Sequence, residues 1–112
     1  MDQPIPSVSS SDLARVVERD YPIDVRAEIA ALLDAYGDAD AVRVKLAILK
    51  LANGDASKVR HYVTAATQDY RDVLAWAEYP GLMDKGWPLP AQTRDGVIAA
   101  DWEQYEAWLK RR

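Results

Sequence analysis

Between Val59 and Ala77, the residues Val59, Tyr62, Val63, Ala66, Tyr70, Val73, Leu74 and Ala77 stay on one face of a helix for about five turns. No other feature of the sequence constrains the fold as strongly. The rest of the chain supplies helices rather than strands. No segment shows sustained period-two alternation or a hairpin turn signal.

The other helices follow from their own punctuation. In "VSSSDLARVVERD" Ser9 is placed to cap, Asp12 to complete a capping box, and Val8 and Leu13 to form a hydrophobic staple. Leu13, Val16 and Val17 are the buried stripe, and Tyr21-Pro22 ends the helix. Asp24 is expected to cap the next helix. Its apolar residues Val25, Ile29, Leu32, Leu33 and Tyr36 share one face, and Gly37 stops it. The third helix, about residues 39–52, is apolar on two faces: Val42, Leu46 and Leu49 on one, Val44, Ala47, Ile48 and Leu51 on the other. Such a helix is buried between layers, so this one is expected to be central. Asn53-Gly54 ends it, and Asp55 caps the long fourth helix.

Residues 79–96, "YPGLMDKGWPLPAQTRDG", hold 3 of the 6 prolines and 3 of the 5 glycines and carry no visible helical stripe. They read as one long loop. The last helix is expected from Val97, with Ile98, Trp102, Tyr105 and Leu109 inward and Lys110, Arg111 and Arg112 suiting its C-terminal dipole. The expected fold is all-α: a compact five-helix bundle with one long Pro/Gly/Trp-containing loop before the C-terminal helix. Residues 1–8 read as a flexible lead-in and 9–112 as a single helical domain. A chain of 12.5 kDa hides about two-thirds of its surface on folding, enough for one core without staples.

Composition narrows the chemistry. There is no cysteine, which removes disulfides, thiolate nucleophiles and cysteine-held zinc or iron–sulfur groups. The N-terminus lacks a basic and apolar leader and no run approaches 18 apolar residues, so a cytoplasmic protein without a membrane span is expected. The 13 aspartates and the Arg-over-Lys bias, 9 to 5, suit a GC-rich bacterial genome. His61, the single histidine, falls about 160° from the apolar face of the fourth helix and reads as a solvated side chain. No phosphate-cradling glycine loop, HExxH, GxSxG or dinucleotide fingerprint occurs. No cofactor, metal site or catalytic set is expected.

Three features remain as candidate sites. The first is the 79–96 segment, where Trp87, Met83 and Tyr79 join Trp76 and a partly exposed Trp108 as material for a protein-recognition patch, or plug one end of the bundle. The second is the carboxylate pair Asp69 and Asp72, on the flank of the fourth helix. The pair either lines a small-ligand pocket with Tyr79 and Trp76 or accepts hydrogen bonds from a helix end. The third is a basic island over 43–71, net +4 in a chain of net −4. Its helix–turn–helix likeness fails at Lys50, Asp55 and Arg60, so it reads as a solvated face before a phosphate-contacting one. The expectation is therefore a non-catalytic module binding an unidentified protein partner through the 79–96 segment. A ligand-binding pocket or enzyme is the alternative and nucleic acid the least favoured partner. Self-association through Trp87 is a further route.

Overall fold

The computed structural model describes residues 4–85 and 89–111. Among them are six helices and no strand: α1 Ser10–Asp20, α2 Arg26–Asp34, α3 Ala41–Ala52, α4 Ala56–Glu78, α5 Pro80–Lys85 and α6 Ala91–Lys110. The architecture is all-α, with one more helix than the sequence suggests.

Local signals set most of the boundaries. The Ser9 hydroxyl accepts from the Asp12 backbone N–H (3.4 Å) while the Asp12 carboxylate accepts from the Ser9 backbone N–H (3.0 Å), so the capping box forms as expected. Asp55 caps α4 by accepting from the Ser57 backbone N–H at 2.9 Å. Asn53 (φ 50°) and Gly54 (φ 84°) both take the left-handed conformation that ends α3. The Asp24 cap is not found. Val25 precedes α2 in the α conformation, after a turn in which its N–H donates to the Pro22 carbonyl. The chain enters α2 through that turn, without the extended residue a side-chain cap requires.

α3 is the central helix. Val44, Leu46, Ala47, Ile48 and Leu49 are fully buried, drawn from both of its apolar faces. It packs on α4 most extensively and also on α1. Val16 of α1, Ile29 and Leu33 of α2, Val59, Val63 and Val73 of α4, and Tyr105 and Leu109 of α6 complete one core. The segment read as a flexible lead-in is held at two points: Pro6 is buried, and the Pro4 carbonyl accepts from the Tyr79 hydroxyl at 2.5 Å.

Two expectations are corrected. The 79–96 segment is not one long loop. Pro80 opens α5 and Pro90 directly precedes α6, which begins at Ala91, six residues before Val97. Proline is favoured at the first helical turn, where its missing N–H costs nothing, so these prolines mark helix starts. The second correction concerns α4, which is not straight. Asp69 (φ −157°, ψ 101°) is extended within it. On one straight helix Tyr62 and Trp76 would lie about 21 Å apart along the axis. Their ring centroids are 6.4 Å apart, so the chain bends sharply back at Asp69.

Burial also sets the alkaline limit of stability. Tyr21 is 2% exposed, and loss of hydration pushes its phenol from 10.0 to about 12, partly offset by the neighbouring Gly54 backbone. Burial raises Tyr105 in the same direction. A raised tyrosine costs nothing below pH 10.0. Above it the unfolded chain ionises first, so stability falls as pH climbs towards 12. Tyr21 alone accounts for about 2–3 kcal/mol of that loss. Denaturant titrations at rising pH are expected to show it, with Tyr21→Phe flattening the decline.

Candidate partner-binding surface

The surface around α5 is built by three polar anchors. α4 ends where the Tyr79 N–H donates to the Ala75 carbonyl, and Pro80 starts α5 at once. A six-residue helix cannot hold itself in water. Here Asp101 of α6 caps it from outside: its carboxylate accepts from the Gly81 N–H (2.8 Å) and the Leu82 N–H (3.0 Å). Asp101 is only 4% exposed, so those two N–H groups are the compensation for its burial. Gly81 is required for this approach, since a Cβ there would sit 2.7 Å from an Asp101 carboxylate oxygen.

The second anchor is Arg43 of α3 with Glu78 at the end of α4. The guanidinium donates twice, Nε to one carboxylate oxygen (2.8 Å) and a terminal nitrogen to the other (2.6 Å). Glu78 is 2% exposed, so this is a buried, bidentate pair. The carboxylate beside Arg43 holds the guanidinium pKa above its ordinary value. The third anchor is Gln104 of α6, whose amide donates to the Asp101 carbonyl (2.8 Å) and, more weakly, to that of Ala77 (3.4 Å).

These anchors leave a cleft of about 240 Å³ between α3, the second part of α4 and α5. Leu74, Ala75, Tyr79 and Leu82 line it, Met83 stands at its lip, and Arg43 and Arg71 are its charged border. Met83 is 51% exposed. Tyr79 is buried, and its phenol is raised mainly by burial.

The candidate residues do not form one site. Met83 and Tyr79 share this cleft. Trp76 does not line it; it is 40% exposed and stands edge-on to Tyr62. Trp108 is buried rather than partly exposed, which corrects the sequence reading. It packs against Tyr105 and lies under the Arg19 guanidinium, 5.3 Å from the ring centroid. Arg19 also donates to the Trp108 and Arg111 carbonyls, so the end of α6 closes onto α1. Trp87 lies outside the described residues. Asp69 and Asp72 do not line the cleft either. Asp69 caps the second part of α4, accepting from the Arg71 backbone N–H (3.0 Å) and the Arg71 guanidinium (3.1 Å). These contacts hold its carboxyl below its ordinary pKa. Asp72 is exposed one turn on.

The basic island is partly consumed by internal pairs: Arg43 with Glu78, Arg71 with Asp69, and Lys45 with Asp34 at 3.6 Å. Lys58, Arg60 and His61 are exposed on α4. No group of three metal-ligating side chains occurs among the described residues, and no helix there is long and apolar enough to cross a membrane.

Sequence reasoning missed Glu78, Asp101 and Gly81. A signal existed for the two acids: Glu78 is four residues after Leu74 and Asp101 three after Ile98, each on the edge of a buried stripe. It also missed a groove of about 400 Å³ between α1 and α2, where Leu13, Val17 and Leu33 are flanked by the small Ala14, Ala27 and Ala30.

No protein-family model matches this chain, and neither the curated proteins nor the solved structures contain a match.

Proposed function

We propose that this chain is a non-catalytic helical module that binds a segment of a protein partner in the cleft between the second part of α4 and α5. The observation that carries the reading is the pairing of an apolar cleft, open beside an exposed Met83, with two arginines on its border. Methionine and arginine are both enriched at interface cores. An apolar side chain flanked by carboxylates fits this arrangement: the side chain enters between Leu74, Ala75 and Leu82, and the acids face Arg71 and Arg43. Arg71 is the accessible one, its side chain 76% exposed.

A small-ligand site at the same place ranks second. Ligand pockets run from roughly 300 to 1,000 Å³, and this cleft is smaller. Nucleic acid ranks third, since the chain as a whole carries a net charge of −4.

Arrayed peptides carrying one leucine or methionine between acidic residues provide the direct experiment. The wild type is expected to bind a subset of them. Met83→Asp, at an exposed position, is expected to weaken that binding about tenfold or more while the fold persists. Equal binding by wild type and Met83→Asp, or equal binding of lysine-flanked peptides, would remove the cleft from consideration.

A further inference from the structure

We propose that this chain forms a dimer with a second copy of itself by exchanging residues 70–111, the two parts of α4 straightening through Asp69 into one continuous helix.

The bend in α4 rests on a single residue. Between Ala56 and Glu78 only Asp69 leaves helical φ/ψ. No glycine or proline lies in that span. The buried stripe from Val59 to Ala77 keeps its phase across the break, as it would on an unbroken helix. Kinks and bends in helices ordinarily trace to a proline, a glycine or a bulge, and this one has none. The polar contacts that hold it locally are exposed, the Asp69 cap on the Arg71 N–H and its ion pair with the Arg71 guanidinium, and the half-buried Tyr62 meets Trp76 edge-on across it.

Everything else that fastens residues 70–111 to the rest can be remade between two copies. The Arg43–Glu78 pair, the Tyr79–Pro4 hydrogen bond and the Arg19 bonds to the end of α6 all join residues 4–68 to residues 70–111. In an exchanged dimer each forms twice, from one copy to the other, with unchanged geometry. Straightening adds the backbone bonds that a helix start leaves unmade at its first four N–H groups. Opposing it are the Asp69 cap and the entropy of bringing two chains together, so exchange is favoured at high concentration. Because the closed monomer must open first, the dimer is expected on refolding rather than on mixing folded protein.

Charge exchange between copies provides the decisive experiment. Arg43→Glu and Glu78→Arg each place like charges at the buried pair, so each variant refolded alone is expected to lose most of its folded monomer. Refolded together they are expected to give a one-to-one dimer of twice 12.5 kDa. In that dimer the carboxylate introduced at position 43 meets the guanidinium introduced at position 78 of the other copy, and the native pair forms at the second junction. A co-refolded mixture without heterodimer overturns the proposal.

The hinge is tested separately by light scattering of protein refolded at high concentration. Asp69→Ala removes the cap and favours the helix, and should raise the dimer fraction about tenfold. Tyr70→Pro suits the bent form, because Asp69 is already extended as a residue before proline must be. In the straight helix the same proline is an interior breaker, so the dimer should fall on the order of a hundredfold. A dimer undiminished by Tyr70→Pro is an ordinary surface dimer, and that result also overturns the exchange.

Discussion

Replacing Glu78 with alanine is expected to destabilise the fold by about 3 kcal/mol or more, because it leaves the largely covered Arg43 guanidinium without its partner. Glu78 is 2% exposed and receives both N–H groups that Arg43 directs at it. A domain of this size is stable by only about 5–15 kcal/mol, so the variant should approach the threshold of folding. Thermal melts followed by circular dichroism are expected to show a drop on the order of 15–25 °C. Two companions separate charge burial from packing. Arg43→Ala should cost a similar amount, and the double variant much less than the sum of the two, since neither unpaired charge then remains. The pair Arg43→Met with Glu78→Leu should recover most of the lost stability, as apolar replacements of buried ion pairs often do. A Glu78→Ala protein within about 1 kcal/mol of wild type would mean that water reaches this pair.

Asp101→Ala is expected to produce the second large effect, of a different kind. Its carboxylate is the external cap of α5, and two backbone N–H groups lose a charged acceptor when it is removed. At about 1.5–3 kcal/mol for each bond to a charged group, discounted for the burial cost that disappears with the carboxylate, a net loss of roughly 2–4 kcal/mol follows. α5 has six residues, too few to persist unaided, so the loss should be concentrated there. Amide exchange at Gly81 and Leu82 is expected to accelerate far more than exchange at Val44 or Val59. Gly81→Ala should reproduce much of this, because its Cβ would press on the Asp101 carboxylate at 2.7 Å. The two substitutions together should cost less than their sum, since both break the same contact. Loss of the α5 amides without a change in peptide binding would detach this helix from the proposed recognition cleft.

The two variants bear on function because both residues shape the cleft. Glu78 fixes the Arg43 side chain on its border, and Asp101 fixes Gly81 and Leu82 at the start of α5. Met83 is exposed on a helix whose first turn is held by Asp101 of α6. Were residues 79–85 an irregular loop, nothing would set the position of that side chain relative to Tyr79.

Much of the fold is legible in the sequence. The α1 capping box, the Asp55 cap and the Asn53-Gly54 stop are local chemistry, decided by residues within three or four positions of one another. The double stripe of α3 announced a helix covered on two sides. The stretch from Tyr79 to Gly96 reads as a loop in sequence because proline and glycine break helices in their interior. Pro80 and Pro90 in fact stand at helix starts, and Gly81 gives space to a carboxylate twenty residues away. The break at Asp69 was also hidden. An aspartate inside a helical pattern reads as a flank residue, and its alternative role as a cap becomes visible only when the chain around it leaves the helix.

What the sequence by itself determined is the set of helices with strong periodicity, their caps, the absence of strand patterning and the absence of cysteine chemistry. Each depends on residue types at short spacing, where propensity and local hydrogen bonding act without help from the rest of the chain. Only the tertiary structure decided that α4 bends, that Trp108 is covered, that Glu78 and Asp101 are buried acids, and that Met83 borders a cleft. These depend on which side chains meet across 20 to 92 positions of chain, as Asp101 meets Gly81 and Arg19 meets Arg111. The energy of burying a charge or an indole is set by its partners in space, and no periodicity along the chain encodes them.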